Sequence, residues 1–349
     1  MPDPILTTAI DAVASGQDLT ADQATEVLDI VMRGDASEIQ ISAFLIGLRT
    51  KGETEEEIEG LARSMRGLAT AVRTSREDLV DTAGTGGGRQ TFNVSTTAAI
   101  IAAGAGCAVA KHGNRSATGR SGSADVLEAL GVRIDLDAEH VGRCIDEIGF
   151  GFMFAPAHHA AMRHVVPVRK ELAVRTIFNF LGPLTNPAGA RRQLIGVSDP
   201  AFVDRIARAL ARLGVDRALV VSSADELDEM SVAAPTTVVE VDGTELHRST
   251  VVPEDFGLLR HPDHDATAGG GPQENAAIAR AIFAGDAAHG PGTPTHDLAA
   301  LNAGAAIYAA GGARTLREGV EQAVAAIADG RAAATLDRLV ATTQELAHA

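Results

Sequence analysis

The sequence predicts an α/β protein in two parts: a small N-terminal helical domain and a larger α/β domain with a largely parallel central sheet. Three observations predict it. The first seventy or so residues carry helical periodicity alone, short apolar runs alternate with helical patterns from Leu79 onward, and glycine-rich or acidic segments stand where those runs end. Residues 1–72 form the helical domain, joined by helices from about 160–185, and residues 73–349 form the α/β domain. A chain of 349 residues hides about 75% of its unfolded surface on folding, enough for such a pair. Aromatic residues make up 3% and Trp is absent, so the core must be built from Ala, Val, Leu and Ile.

The helical part is read from its caps. Thr20 with Gln23, Asp35 with Glu38, and Thr54 with Glu57 have capping-pair spacing, and each precedes apolar residues at helical intervals, among them Ile41, Phe44, Leu45 and Leu48. Gly34 and Gly52 punctuate the pattern. Further on, CAVA before Lys111, FGFMFA at 150–155, QLIGV at 193–197 and ALVVSS at 218–223 are short, apolar and rich in β-branched or aromatic residues, as buried strands are. Helical patterns lie between them, including Ser123 to Leu130 and Ala201 to Leu213. Asp242-Gly243 in TTVVEVDGTELHRSTVV marks a hairpin. A Gly-rich loop at 261–275 precedes helical patterns that run to the last residues.

Charge and cysteine content narrow the function. A formal net charge of −16 repels nucleic acid and anionic membrane surfaces, so a bound polyanion must be held by a local site. Cys107 and Cys144 lie in apolar surroundings without metal-binding or redox spacing, which suits a reducing compartment. The opening MPDPILTTAIDAVASGQDLT has Asp3 and Asp11 where an export signal needs basic residues. The longest uncharged apolar run, 98–110, is too short to span a bilayer. These features predict a cytoplasmic protein with no nucleic-acid or membrane partner.

The stretch DTAGTGGGRQTFNVST, 81–96, places four glycines in a five-residue window and then Asn93, Ser95 and Thr96. Consecutive glycines let main-chain N–H groups approach an anion with no Cβ in the way, and a helix start behind them adds further donors. The P-loop pattern fails because Arg89 and Gln90 follow Gly88, and the dinucleotide pattern fails because Arg89 stands at its last glycine. A phosphate cradle and an ordinary tight turn both remain open on this stretch alone.

AKHGNRSATGRSGSADVLEALG, 110–131, supplies Lys111, His112, Asn114, Arg115, Ser116, Arg120, Ser121 and Ser123 as donors in a Gly-broken loop that ends at a helix start. It reads as a second anion cradle or as a solvated basic loop. SSADELDEMS puts Asp225, Glu226, Asp228 and Glu229 directly after an apolar strand, where hard oxygen ligands suit magnesium and an acidic helix start is the equal alternative. In HHAAMRHVVPVRKELAVRTIFNFLGPLTNP, 158–187, Arg163, Arg169, Lys170 and Arg175 recur along a helical pattern as a solvated basic face would. His158, His159 and His164 lack a nearby carboxylate before Glu171, which argues against zinc.

Taken together, GTGG, NVST, KHGNRS, SGSADVLEALG, VRKELAVRTIFNFLGPLTNP and LDEMS resemble the anthranilate phosphoribosyltransferase family in order and spacing over nearly the whole chain. The resemblance implies transfer of phosphoribose from 5-phosphoribosyl 1-pyrophosphate to anthranilate with Mg2+, in a homodimer joined through the helical domains and closing about its hinge. It implies that Gly84, Thr85, Gly86, Gly87, Thr91, Asn93, Ser95, Thr96, Lys111 and Ser123 hold 5-phosphoribosyl 1-pyrophosphate. Gly84, His112, Asn114, Arg169 and Gly182 would hold anthranilate, with the Arg169 fork on its carboxylate, and Ser95, Asp228 and Glu229 would hold the metal. The family's glycine loop commonly ends in Asp where this chain has Gly88, which implies a looser loop and easier product release. A nucleoside phosphorylase of the same fold and a non-catalytic nucleic-acid-binding relative are the alternatives, the second opposed by the net charge.

Overall fold

The computed structural model describes residues 2–116 and 119–347. Four helices open the chain: α1 (Pro4–Ala14), α2 (Ala21–Arg33), α3 (Glu38–Lys51) and α4 (Glu55–Leu68). Asp3 caps α1 by accepting from Leu6 N–H, and reciprocal capping boxes form at Thr20–Gln23 and Thr54–Glu57. The cap of α3 departs from the expected Asp35–Glu38 pair. Gly34 turns the chain in the left-handed region, Asp35 folds back onto Arg33, and Ser37 accepts from Gln40 N–H instead. A cap accepts from a donor two or three residues on, so the later residue took the role.

The α/β part follows as β1 (Leu79–Gly84), α5 (Val94–Gly104), β2 (Ala108–Gly113), α6 (Ser123–Ala129), α7 (Ala138–Ile148), β3 (Phe150–Phe154), α8 (Ala155–His158), α9 (Val166–Leu172), α10 (Phe178–Leu181), β4 (Arg192–Gly196), α11 (Val203–Arg212), β5 (Arg217–Ser223), β6 (Thr236–Asp242), β7 (Glu245–Val251), α12 (Pro272–Ala284), α13 (Pro294–Ala309), α14 (Leu316–Ala328) and α15 (Arg331–Leu346). The sheet order is β3-β2-β1-β4-β5-β6-β7. The first five strands in that order are parallel, and β6 and β7 close one edge as the antiparallel hairpin marked by Asp242-Gly243. The chain winds outward from β1 through β2 to β3, then returns and winds the other way from β4. A crevice therefore opens at the C-terminal ends of β1 and β4, where open α/β sheets bind ligands.

Period-two alternation divides the core. Along β5, Leu219 and Val221 join the cluster formed with α5, α7 and α12 to α15, while Ala218 and Val220 face α11. That second cluster runs on into the helical bundle through Val165, Val168, Ile177, Phe180 and Leu184, so the segment between β3 and β4 packs with α1 to α4. Its basic residues do not share one helix. Arg163 lies in a 3-10 turn, Arg169 and Lys170 in α9, and Arg175 beyond the left-handed turn at Ala173 that ends α9.

Histidines line the junction where this segment meets β2. His158 Nδ1 lies 3.0 Å from Thr70 O, and the His112 and His159 ring centroids are 5.0 Å apart. Burial, with the neighbouring imidazoles adding to it, pushes His112 down to about 3 and His159 down to about 4. An unfolded His159 binds a proton from about pH 6.5 downward, which the folded chain refuses until about pH 4, so folding weakens as pH falls through that window. The non-titrating variant His159→Gln escapes this loss. Denaturation measured at pH 7.5 and pH 5 should show native stability falling relative to the variant, by up to about 1.4 kcal/mol per unit below pH 6.5. A gap independent of pH would mean that His159 charges freely in the folded protein.

Candidate active site

At the C-terminal edge of the sheet, Gly84 ends β1 opposite Gly196 of β4, and Thr85 N–H donates to Gly196 O at 2.9 Å. Gly86 and Gly87 then take φ of +66° and +85°, a region open to glycine at little cost. Gly86 N–H donates to Asp228 Oδ2 at 2.7 Å, and Arg89 N–H donates to Glu226 O at 3.0 Å. Arg89 also pairs with Asp225 at 3.2 Å. The glycine loop is thus laid directly on the acidic segment after β5. That segment is an irregular loop with Glu226 at φ +67°, not a helix start.

This contact corrects the expectation for Gly88. A Cβ at position 88 would stand 2.3 Å from Glu226 O and 3.3 Å from Asp228 N, so the absence of a side chain there tightens the loop against the acidic segment instead of loosening it. An Asp at 88 would displace main chain.

Asp228 and Glu229 are half-buried, and their carboxyl groups lie on the desolvated side. Desolvation pushes Glu229 up to about 8, reinforced by the Asp228 charge and opposed by Lys111 and by Ser95 N–H. Burial pushes Asp228 up as well, opposed by the Gly86 N–H. Lys111 and His112 sit within β2 and not in the following loop. At 1% exposure Lys111 reaches across to β1, its Nζ 2.6 Å from Thr82 O, 3.2 Å from Thr82 Oγ1 and 3.5 Å from Ser95 Oγ. Desolvation lowers its pKa, while Asp81 and Glu229 raise it. Asp81 is pushed up to about 6 by burial, and it accepts from Asn186 Nδ2 at 2.7 Å and from His112 N–H at 3.1 Å. Two carboxyl groups, Asp81 and Glu229, therefore act on one ammonium, while Asp228, next to Glu229 in the chain, is opposed by the Arg175 guanidinium instead. With Ser95 beside them, this hard-oxygen set short of positive charge fits a divalent cation such as magnesium.

The start of α5 supplies the other donors. Asn93 precedes Val94 as N-cap position, but its side chain does not cap the helix: Nδ2 donates to Ser121 O at 3.1 Å, and Oδ1 accepts from Ser121 Oγ at 2.9 Å and Asn275 Nδ2 at 2.8 Å. Ser95 and Thr96 fall in the first turn of α5, and Thr96 Oγ1 is buried with no hydrogen-bond partner among the described residues. Thr91 is half-buried where the main chain of Gly269 approaches it, and Ser123 opens α6 beside Gly113 at the end of β2.

The loop after β2 is a weaker cradle than its composition suggests. Arg115 pairs with Asp125 at 2.8 Å and also with Glu128, so its charge is already engaged, and Arg120 lies exposed 3.8 Å from Glu274. Asn114 is exposed and accepts from Arg115 N–H at 2.7 Å. Ala117 and Thr118 of this stretch lie outside the described residues.

Across the crevice, His112 Nδ1 lies 3.2 Å from Gly182 O, and the space where a Gly182 side chain would stand is open. Arg169 is half-buried with its guanidinium 5.6 Å from the Phe178 ring centroid, and burial alone lowers its pKa, with no carboxylate pairing it among the described residues. Two residues at the site escaped the sequence reading. Arg175 Nη1 donates to Gly86 O at 3.0 Å and to Ser198 Oγ at 3.2 Å, and Ser198 Oγ donates to Gly86 O at 2.8 Å. Ser198 follows the QLIGV strand at its ligand-binding end, which was a usable signal. Arg175 carried none beyond its charge.

Comparison with known proteins agrees with this architecture. Residues 76–333 match the glycosyl transferase family, a/b domain, and residues 7–78 match its helical bundle domain. The chain is 53% identical to an anthranilate phosphoribosyltransferase of Symbiobacterium thermophilum over 96% of each chain. It is 50% identical to that of Rubrobacter xylanophilus over 98% of this chain and 99% of the other. Among solved structures, anthranilate phosphoribosyltransferase from Thermus thermophilus superimposes with a TM-score of 0.90 at 46% identity, covering 96% of this chain and 99% of that one. The Saccharomyces cerevisiae enzyme in complex with PRPP and Mg gives 0.88 at 28% identity, covering 97% and 98%. With its helical bundle, its switch-point crevice and these near full-length matches, the chain belongs to the anthranilate phosphoribosyltransferase family.

Proposed function

We infer that the chain carries out the reaction of its family: the 5-phosphoribosyl group passes from 5-phosphoribosyl 1-pyrophosphate to the amine of anthranilate and pyrophosphate leaves, the second step of the tryptophan branch. The observation that carries this reading is the meeting of the glycine loop, the desolvated Asp228–Glu229 pair and Lys111 at the switch point of the sheet. The yeast relative is held with PRPP and Mg.

The glycine loop from Gly84 to Gly87 offers main-chain donors to the pyrophosphate. Thr91, Asn93, Ser95, Thr96, Lys111 and Ser123 complete the cradle for ribose and phosphates. Asp228, Glu229 and Ser95 would hold magnesium, which when bound neutralises charge on the departing pyrophosphate. Lys111 supplies a fixed positive charge in a dry setting, where it acts strongly on charge that develops nearby.

Anthranilate brings a neutral arylamine that needs little activation, so orientation outweighs base catalysis. Arg169 is the partner for its carboxylate, a half-buried guanidinium with no ion pair among the described residues, and Gly84, Asn114 and the open space at Gly182 shape the pocket. His112 stays neutral. With its Nδ1–H donated to Gly182 O, its Nε2 is left as an acceptor for an N–H of the amine. Domain closure about the hinge excludes water from the activated sugar.

The homodimer belongs to the same proposal. Ile5 of α1 and Ile39 and Ile46 of α3, with Val166 and Val174 of the segment that packs with the helical bundle, are exposed, Ile39 at 81%, and their burial against a second copy would remove that apolar surface from water. A cytoplasmic setting is supported by two buried cysteines that are both free.

Mixing the purified protein with 5-phosphoribosyl 1-pyrophosphate, magnesium and anthranilate should consume anthranilate fluorescence, and no loss at any magnesium level overturns the reading. The double variant Asp228→Asn, Glu229→Gln is expected to fold and to lose nearly all turnover. Unchanged activity would remove the acidic pair from the site. Arg169→Ala should raise the Michaelis constant for anthranilate by roughly 10- to 150-fold, the range of a charge-assisted contact of about 1.5–3 kcal/mol, with little change for 5-phosphoribosyl 1-pyrophosphate. An equal rise in both constants would make Arg169 structural.

A further inference from the structure

Arg175 belongs to the segment that packs with the helical bundle, yet its guanidinium lies against the glycine loop of the α/β part. The left-handed turn at Ala173, φ +50°, releases the chain from α9, and Arg49 of α3 fixes the next residues by donating to Arg175 O at 2.9 Å. The guanidinium then lies 5.5 Å from the Phe180 ring centroid, and that ring is stacked at 4.0 Å on Phe202. From this seat Nη1 donates to Gly86 O and to Ser198 Oγ, and Ser198 Oγ donates to the same carbonyl. The fit leaves no slack: a Cβ on Gly87 would stand 2.1 Å from Nη1.

The peptide between Gly86 and Gly87 is one rigid plane, in which the carbonyl and the following N–H point in opposite directions. Pinning Gly86 O toward Arg175 therefore turns Gly87 N–H to the far side of the loop. Both residues have positive φ, where glycine moves among conformations at little cost, so the loop alone does little to stop this plane from flipping and turning its oxygen outward. An outward oxygen would repel an anion that an outward N–H attracts.

We propose that Arg175 is a positioning residue that locks the Gly86–Gly87 peptide with its N–H presented to the pyrophosphate, and so makes the anion site of the α/β part depend on a side chain seated in the helical part. This rests on the reading of the glycine loop as the pyrophosphate site. Arg175 acts through Gly86 and needs no contact with the reacting atoms.

The test uses the full chain and two readouts, steady-state kinetics and calorimetric titration with inorganic pyrophosphate and magnesium in the absence of anthranilate. Arg175→Met is expected to weaken pyrophosphate and to raise the Michaelis constant for 5-phosphoribosyl 1-pyrophosphate by about tenfold or more, with the constant for anthranilate at saturating co-substrate within about twofold. Arg175→Lys, which keeps a donor and the charge, should recover part of the loss. Ser198→Ala, a smaller change that spares the Phe180 contact, should shift the same constant in the same direction by less. Adding it to Arg175→Met should cost less than it does alone, because both groups serve one carbonyl. Unchanged pyrophosphate affinity in Arg175→Met and Ser198→Ala, or an equal rise in both Michaelis constants, overturns the proposal. A native protein that turns over but takes up no pyrophosphate sinks the underlying reading of the loop instead.

Discussion

Asp228 occupies a position where three surrounding residues can carry no side chain. A Cβ on Gly84 would lie 2.5 Å from its Oδ2, one on Gly88 would meet Glu226 O at 2.3 Å, and one on Gly196 would meet Asp228 O at 1.6 Å. Three strands end here, and the loops that leave β1 and β5 can touch only because this much volume is missing. The contact fixes the acidic pair relative to the glycine loop and fixes both relative to Lys111 in β2. The rest of the site inherits its geometry from that packing. A helix or strand elsewhere can lose a methyl group and relax, whereas one added methyl at Gly88 or Gly196 must move main chain and one at Gly84 must displace the Asp228 carboxylate.

Burial gives the same contact its electrostatic meaning. Asp81, Asp228 and Glu229 are each pushed upward by desolvation, and Lys111 is the ammonium that acts on Asp81 and Glu229. Taking charges out of water costs several kcal/mol per ion even after relaxation, and desolvation outweighs Lys111 at Asp81 and Glu229 and Arg175 at Asp228. A divalent metal held there would relieve that condition. The contact also commits the Gly86 N–H to the Asp228 carboxylate, an acceptor with which an anion bound at the loop would have to compete. Arg175 steadies the other side of the same residue, so the loop is held from both flanks.

Much of this was legible in the sequence because it is local. The capping boxes at Thr20 and Thr54 form between residues three apart, the strands announce themselves as apolar runs, and the glycine and acidic segments stand where those runs stop. The α3 cap was misplaced by two residues because Asp35 and Ser37 both qualify, and the left-handed turn at Gly34 decided between them. What stayed hidden is what folding brings from afar. Arg115 looks like an anion ligand until Asp125 and Glu128 arrive from α6. Lys111 looks like a loop residue until β2 is seen to extend through it. Gly88 looks like slack until Glu226 closes on it, and Arg175 meets Gly86 across 89 residues of chain, a separation that no periodicity records.

Hydrogen exchange read separately in residues 84–89 and 226–229, with and without magnesium and pyrophosphate, tests the dependence of the site on this one contact. If the glycine loop and the acidic segment are a single packed unit, both segments gain protection together and with the same dependence on ligand concentration. Protection that rises in the glycine loop while exchange in the acidic segment stays unchanged would contradict the account.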